Sequence, residues 1–185
     1  MHDILKRSLL TCPIVKKGEY NYFVHPITDG VPKIDPDLLN EVCEAIIQLA
    51  DTDVDMIVTA EAMGIPMGAV LSLQLGIPLN IIRKRSYGLQ GEVEIQQETG
   101  YSKNRMFING LEKGNKILFV DDVVSTGGTL RASIKTLKEM GVVIVDIIIA
   151  INKSQNIKSL EEEIGHEIKY LVHVDVVDGK VVIMD

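Results

Sequence analysis

The sequence predicts an α/β protein whose mostly parallel sheet is flanked by helices. Short apolar runs alternate along the chain with segments whose apolar residues recur at helical spacing. The apolar run 117–120 ends in two aspartates and a glycine-rich turn, and ligands bind at such strand ends in open α/β sheets. A length of 185 residues suits one domain, so we expect a single unit spanning 1–185.

The individual elements follow from local signals. Asp35 before Pro36 predicts a helix start, and apolar residues continue at helical spacing to Ala50. Asp178-Gly179 predicts a hairpin turn between the last two strands. The remaining elements are expected as strands at 56–60, 79–82, 117–121, 142–151, 168–176 and 180–184, and as helices at 64–75, 129–140 and 157–164. Strands alternating with helices predict right-handed βαβ units.

Two segments do not fit this alternation of strands and helices. Residues 1–34 have mixed character and several glycines and prolines, which suits a small N-terminal flap. Residues 84–105 are polar, contain Gly88, Gly91 and Gly100, and have weak periodicity. A loop of that length inside a compact domain is usually functional or mobile, so we expect a flexible loop there.

Composition excludes several classes of function. The net charge of −7 disfavours a nucleic-acid partner, because phosphate backbones are bound by basic patches. Cys12 and Cys43 lack metal-ligand or redox spacing, which indicates free thiols in a reducing compartment. The longest apolar stretch, 142–151, is interrupted by Asp146 and is too short to span a membrane. With a start too charged for a signal peptide, the chain is expected to be cytoplasmic and to bind no membrane.

The most informative motif follows the apolar run 117–120. It consists of Asp121 and Asp122 and, after two valines, the turn Ser125, Thr126, Gly127, Gly128 and Thr129. Consecutive backbone N–H groups in such a turn, at a helix N-terminus, bind phosphate. Two carboxylates beside a bound phosphate can accept hydrogen bonds from sugar hydroxyls and can bind a hydrated Mg²⁺. The acid pair beside a phosphate-binding turn therefore predicts a phosphorylated sugar lying across one strand end. Neither a Walker sequence nor GxGxxG is present, which removes the main support for a kinase or a dinucleotide-binding protein.

This motif resembles the phosphoribosyl-pyrophosphate (PRPP) binding motif of the type I purine phosphoribosyltransferases. The resemblance covers roughly residues 20 to 153. It includes Tyr22-Phe23-Val24-His25-Pro26 and Gly30-Val31-Pro32, similar to the family's purine hood; Ala60-Glu61-Ala62-Met63-Gly64, similar to its pyrophosphate loop; the basic Ile82-Arg83-Lys84; and 98–111, similar to the mobile catalytic loop of the adenine enzymes. Overall the chain is most similar to the archaeal-type hypoxanthine enzymes, which are built like adenine phosphoribosyltransferases but use 6-oxopurines.

The resemblance implies a Rossmann-like type I phosphoribosyltransferase fold, with a hood at 1–34 and a mobile lid at 84–105. It implies transfer of the phosphoribosyl group from PRPP to hypoxanthine, and to guanine, with Mg²⁺ as cofactor and a homodimer as assembly. The implied site residues are Asp121 and Asp122 for ribose and Mg²⁺; Ser125, Thr126, Gly127, Gly128 and Thr129 for the 5′-phosphate; Glu61, Ala62, Met63, Gly64, Arg83 and Lys84 for pyrophosphate; Lys103 and Arg105 on the lid; and Phe23, His25 and Lys153 for the base.

The sequence departs from the family pattern at two places. Ser125 stands where the classical 6-oxopurine enzymes have a carboxylate that assists at purine N7, and Lys103 and Arg105 stand where adenine enzymes have glutamates. These cations suit a clamp on phosphate or pyrophosphate rather than acid catalysis. Two alternatives to the hypoxanthine enzyme are an adenine phosphoribosyltransferase and a regulator that binds PRPP or a nucleotide without catalysis.

Overall fold

A computed structural model describes residues 2–18, 20–99 and 102–184. The elements in chain order are α1 (Asp3–Thr11), β1 (Ile14–Lys17), β2 (Tyr20–Phe23), α2 (Pro26–Asp29), α3 (Pro36–Leu49), β3 (Met56–Ala60), α4 (Gly64–Leu75), β4 (Leu79–Ile82), β5 (Val93–Thr99), β6 (Ser102–Ile108), β7 (Lys116–Val124), α5 (Gly128–Glu139), β8 (Val143–Asn152), α6 (Ile157–Ile164), β9 (Lys169–Val177) and β10 (Lys180–Met184). Within these residues, no helix is long and apolar enough to cross a membrane.

The main sheet has the order β10-β9-β8-β7-β3-β4, and its strands are parallel except for the antiparallel pair β9 and β10. The predicted α/β class and mostly parallel sheet are thereby confirmed. From β3 the chain moves outward to β4, and it then returns to the opposite side of β3 to form β7. Strand order therefore reverses between β3 and β7, and open α/β sheets bind their ligands at such a reversal.

Strand β7 is apolar on both faces because helices cover both sides of the sheet. Leu118 and Val120 pack in the core beneath α1, α3 and α4, whereas Ile117 and Phe119 pack in the opposite core with α5 and α6. All four side chains are fully buried. The structure extends this strand three residues past its predicted end at Asp121, so that it ends at Val124.

Asp146, which interrupts the apolar run of β8, is buried with a partner. Its carboxylate lies 2.6 Å from Lys169 Nζ and also accepts the backbone N–H of Asp51 at 3.1 Å. The Lys169 ammonium donates in addition to the Leu49 carbonyl at 3.1 Å. Because buried charges need partners, this network ties the end of α3 to β8 and β9.

The first helix, α1, belongs to the main core rather than to the hood expected over 1–34. Leu5 and Leu9 are completely buried in the core that also contains residues of α3 and β10. The Glu41 carboxylate of α3 accepts the backbone N–H groups of Ile4 and Leu5 at 3.0 and 2.8 Å, which satisfies the open end of the helix. The hood itself is formed by the antiparallel pair β1 and β2 together with the short helix α2.

The segment 84–105 contains secondary structure that the sequence analysis did not predict. Strands β5 and β6 pair as an antiparallel hairpin, with Val93 opposite Ile108 and Ile95 opposite Met106. Ile95, Met106 and Ile108 are buried against the α5 side of the core. Polar residues alternate with these few apolar ones, so only the base of the hairpin has an apolar face. The sequence of the segment is therefore polar overall, and it does not predict the two strands.

His25 caps the N-terminus of the short helix α2 and is completely buried. Its Nδ1 accepts the Ile27 N–H at 3.2 Å, and its Nε2 lies 2.8 Å from Ser8 Oγ. Burial lowers the pKa of the ring to about 4 from an ordinary 6.5. The unfolded chain therefore takes up this proton first as the pH falls.

We expect His25 to make the fold less stable as the pH is lowered from about 6.5 to about 4, by on the order of 3 kcal/mol. The measurement is urea unfolding at several pH values for the wild type and for His25→Asn, which retains a cap acceptor but cannot titrate. Other groups titrate in the same window, so the readout is the difference between the two proteins. Parallel stability curves for the two proteins would contradict this expectation.

Candidate active site

Asp121 and Asp122 lie near the carboxyl end of β7, beside the reversal of strand order. Asp121 is only 8% exposed, and its Oδ1 accepts the backbone N–H of Asp122 at 3.0 Å. Burial, followed by repulsion from Asp122, raises the pKa of Asp121 well above its ordinary range. Burial also raises the pKa of Asp122, and the charge of Asp29 in the hood adds to that shift. The pair is therefore costly to ionise unless donors or cations are supplied.

The turn after β7 surrounds a cavity of about 180 Å³ that Asp121 also lines. All five predicted phosphate-turn residues contribute to its wall: Ser125, Thr126, Gly127, Gly128 and Thr129. Gly127 has φ +74° and directly precedes α5, whose first N–H groups have no acceptor within the helix. Residues with a side chain rarely adopt this positive φ, and a Cβ at Gly127 would also lie 2.5 Å from a Leu160 methyl, so glycine is strongly favoured there. The cavity has the size and the donors for a phosphate group.

The predicted pyrophosphate loop connects β3 to α4 and reaches the aspartates through Gly64. The ideal Cβ position of Gly64 is 2.8 Å from Asp121 Oδ1 and 1.7 Å from Thr59 Oγ1, so the α-carbon of Gly64 packs directly on both side chains. The peptide bond between Glu61 and Ala62 is cis. Met63 lies against Gly30 of the hood, and it immediately precedes the first turn of α4.

The basic end of β4 lies next to this loop. The Glu61 carboxylate accepts the backbone N–H of Lys84 at 3.1 Å, and the Lys84 charge acts to lower the pKa of Asp121. Arg83 exchanges backbone hydrogen bonds of 2.8 and 2.7 Å with Phe107, and its guanidinium stands 5.6 Å from the Tyr87 ring centroid. The structure thus brings the predicted pyrophosphate residues and the aspartates to one edge of the sheet.

A second cavity, of about 290 Å³, separates the hood from the phosphate turn. Its wall contains aromatic, aliphatic, hydroxyl, amide and ammonium groups, contributed by Asn21, Tyr22, Phe23, Thr28, Val123, Ser125, Thr126 and Lys153. Ser125 and Thr126 also line the phosphate-sized cavity, so the two cavities share a wall. Apolar surface with a few convergent polar groups is typical of a site for a small heterocycle.

Two of the three residues predicted to contact a base lie in this cavity. The Lys153 ammonium stands 5.2 Å from the centroid of the Phe23 ring and 5.7 Å from that of Tyr22, within the range of cation–π attraction. His25 lies behind the wall instead. Its ring is fully buried and both of its nitrogens have partners within the chain, so it has no hydrogen-bonding atom to offer a base.

Of the two predicted lid cations, only Arg105 has a described side chain, and the structure does not bring it to these cavities. Arg105 is exposed on β6, where its Nε lies 3.5 Å from Glu94 Oε1 of the neighbouring strand. Lys103 pairs with Glu98 across the hairpin, and its side chain is outside the described part of the structure. Gly100 is also outside the described residues.

Sequence analysis missed two hood residues that line the second cavity, Asn21 and Thr28, and Asp29, which accepts hydrogen bonds from the lining residues Tyr22 and Thr28. Asn21 could have been found, because it shares the alternation of β2 with Phe23 and therefore the same side of the strand. Thr28 and Asp29 carry no comparable signal. Both belong to α2, whose four residues are too few to show helical periodicity.

Together these features define an α/β protein that can hold a phosphorylated sugar and a small heterocycle side by side at one sheet edge. The sequence model of the phosphoribosyl transferase domain matches residues 34–175. A hypoxanthine/guanine phosphoribosyltransferase of Methanothermococcus okinawensis is 53% identical over 98% of this chain and all of the relative. One of Methanobacterium lacus is 55% identical over 98% of this chain and 95% of the relative. The chain therefore belongs to the hypoxanthine/guanine phosphoribosyltransferase family.

Solved structures support the same fold. Adenine phosphoribosyltransferase from Thermoanaerobacter pseudethanolicus superposes with a TM-score of 0.77 at 23% identity, over 94% of this chain and 99% of that one. Adenine phosphoribosyltransferase from Saccharomyces cerevisiae superposes with a TM-score of 0.69 at 18% identity, over 92% of this chain and 96% of that one. The expected family, fold and class of transferase are confirmed, and membership favours the hypoxanthine enzyme over the adenine and regulator alternatives.

Proposed function

We propose that this protein serves purine salvage by transferring the 5-phosphoribosyl group of PRPP to hypoxanthine, and to guanine. The bond from ribose C1 to the pyrophosphate oxygen breaks, and a bond from C1 to a purine nitrogen forms as that nitrogen releases its proton, which yields the nucleoside monophosphate and pyrophosphate. One observation carries the proposal: the phosphate-sized cavity, which Asp121 lines, shares Ser125 and Thr126 with the hood cavity. A ribose spanning them would present C1 to a base.

The residues have distinct tasks in this reaction. Asp121 and Asp122 accept hydrogen bonds from the ribose hydroxyls. The backbone N–H and hydroxyl groups of the turn Ser125 to Thr129 donate hydrogen bonds to the 5′-phosphate. The departing pyrophosphate is received by Glu61, Ala62, Met63, Gly64, Arg83 and Lys84, whose placement beside Asp121 supports this role. Fixing the ribose between base and leaving group reduces the entropic part of the barrier. Cations and backbone amides stabilise the growing charge on pyrophosphate.

Mg²⁺ is the cofactor that the site fits. Asp121 and Asp122 are adjacent carboxylates whose pKa values are raised by burial, so a cation would relieve the cost of ionising them. Among the described residues there is no cluster of three or more protein ligands. That suits Mg²⁺, which commonly binds through one or two carboxylates and the substrate's phosphates. When bound, the ion supplies positive charge to the pyrophosphate.

Lys153 gives the hood cavity its preference for a 6-oxopurine. An ammonium can only donate hydrogen bonds, so it suits the O6 acceptor of hypoxanthine or guanine and opposes the 6-amino donor of adenine. Phe23 supplies an aromatic face in the same cavity. Residues 84–105 serve as a lid that excludes water, with Lys103 and Arg105 contacting phosphate or pyrophosphate when it closes.

The assembly we propose is a homodimer. Helix α4 is apolar except for Ser72 and Gln74, and Leu73 on its outer side is 86% exposed, which suits coverage by a second copy. We further propose that the whole chain acts as one phosphoribosyltransferase domain. Its free thiols, Cys12 and Cys43, suit the cytoplasm.

The decisive assay is release of pyrophosphate from PRPP in the presence of Mg²⁺, scanned over hypoxanthine, guanine, xanthine and adenine. We expect the highest kcat/KM with hypoxanthine or guanine. A preference for adenine would overturn the choice of base. Tight PRPP binding without pyrophosphate release from any base would overturn the transfer reaction itself.

Lys153→Met should lower kcat/KM for hypoxanthine by about 10- to 100-fold, because a charged hydrogen bond to O6 is lost. Turnover of adenine should stay the same or rise, and the KM for PRPP should be unchanged. Lys158→Met is the matched control, since Lys158 is exposed on α6. An equal loss with hypoxanthine and adenine would contradict a role for Lys153 in reading the base.

A further inference from the structure

Asp29 is a hood carboxylate to which the proposed mechanism gives no task, although two of its hydrogen-bond partners, Tyr22 and Thr28, line the base cavity. It is the last residue of α2 and is followed by Gly30 in the left-handed conformation. Its Oδ1 accepts the Tyr22 hydroxyl at 2.8 Å. Its Oδ2 accepts the Thr28 hydroxyl at 2.6 Å and the backbone N–H of His25 at 3.0 Å.

These contacts determine where two hydroxyl protons point. An ionised carboxylate can only accept, so in each of these bonds the hydroxyl must be the donor. Thr28 Oγ1 also lies 3.4 Å from the His25 carbonyl, but the bond to the carboxylate is much shorter and is assisted by charge. A hydroxyl has one proton. With that proton directed at Asp29, both Tyr22 and Thr28 can offer a ligand only an oxygen lone pair.

Tyr22 and Thr28 line the same cavity as Lys153. One group in that wall can therefore only donate, and two hydroxyls are restricted to accepting. A 6-oxopurine presents the complementary pattern, an acceptor at O6 next to a donor at N1–H, and guanine adds an amino donor at position 2. Adenine presents the reverse, with a donor at position 6 and an acceptor at N1.

We propose that Asp29 is a positioning residue that sets base selection, by holding the Tyr22 and Thr28 hydroxyls as acceptors toward the purine. The proposal rests on the proposed function and goes beyond it, because Asp29 acts without touching the base. Unpaired or mispaired polar groups at a buried site discriminate strongly between ligands of similar shape. The hydroxyls therefore add to the selection made by Lys153.

Asp29→Asn tests this directly. The amide can donate one N–H to a hydroxyl oxygen, which frees that hydroxyl's proton to point into the cavity. We expect the ratio of kcat/KM for hypoxanthine to that for adenine to fall by about tenfold. The ratio is the readout because both bases react with the same PRPP, so an effect of the lost Asp29 charge on Asp122 cancels. Asp35→Asn is the control, because Asp35 caps α3 through the Asp37 N–H and lies outside the cavity wall. It should leave the ratio unaltered.

A second variant covers the case in which Asp29→Asn does not fold. Thr28→Val keeps the side-chain shape and removes the oxygen, so hypoxanthine turnover should fall by about tenfold while adenine turnover stays constant. Unchanged ratios in folded Asp29→Asn, or in Thr28→Val, overturn the inference. A wild type that uses no 6-oxopurine would overturn the proposed function instead, so the two failures are distinguishable.

Discussion

The double variant Asp121→Asn, Asp122→Asn should lose nucleotide synthesis by about three orders of magnitude, because the ribose and the cation lose their charged acceptors. It should also be more stable than the wild type at pH 7.5. The pKa values of both carboxyls are raised in the folded protein, so the folded state holds these protons more tightly than the unfolded chain. As the pH rises, the carboxyls ionise and the folded protein loses this stabilisation. Asparagine does not titrate, so the variant keeps its stability.

The measurement pairs steady-state pyrophosphate release with urea unfolding between pH 5 and 8. The stability advantage of the variant should be greatest at the alkaline end and should shrink as the pH is lowered. Asp37→Asn serves as a control, since Asp37 is an exposed carboxylate on α3. If the double variant kept near-normal synthesis, the assignment of these residues to ribose would be wrong.

Gly64→Ala should cost about two orders of magnitude in kcat, although it adds a single methyl group. That methyl would lie 1.7 Å from Thr59 Oγ1 and 2.8 Å from Asp121 Oδ1, so the loop or the carboxylate must move. Thr59 is fully buried and its hydroxyl has no partner among the described residues, so the surrounding core leaves little room for adjustment. The shift would separate the pyrophosphate loop from the aspartate that it contacts.

Gly68→Ala is the matched control one turn further along α4. Its added methyl would meet a Leu79 methyl at 2.8 Å, which is the flexible end of a side chain rather than part of the site. We expect a lower thermal midpoint with kcat retained for Gly68→Ala, and a large loss of kcat for Gly64→Ala. Equal kcat values in the two variants would show that the close contact between Gly64 and Asp121 does not matter for turnover.

Two features of the fold and one of the site could be predicted from the sequence, because local chemistry specifies them. The helix begins after Asp35 because the carboxylate caps it at 3.0 Å and Pro36 has a suitable φ. Asp178 and Gly179 adopt the positive φ values of 50° and 70° that their turn requires. The phosphate turn needs only consecutive residues, and all five of them line one cavity.

Other features could not be predicted from the sequence, because they depend on contacts between residues that are distant in the chain. Leu5 and Leu9 have helical spacing, yet only packing beneath the sheet shows that α1 belongs to the main core. The hairpin of β5 and β6 depends on cross-strand pairing, which leaves no strong periodicity in a polar segment. His25 shows the same limit, since its position in the hood suggested a base contact whereas burial places its ring behind the cavity wall.

By itself, the sequence determined the α/β class, the order of most elements and the phosphate turn after β7. These depend on spacing and backbone preference within a few residues. Only the tertiary structure decided that Gly64 packs on Asp121, that Lys153 stands over Phe23, and that Asp29 takes the protons of two cavity hydroxyls. Those contacts join residues from separate elements, and their geometry exists only once the sheet, the helices and the hood are packed together.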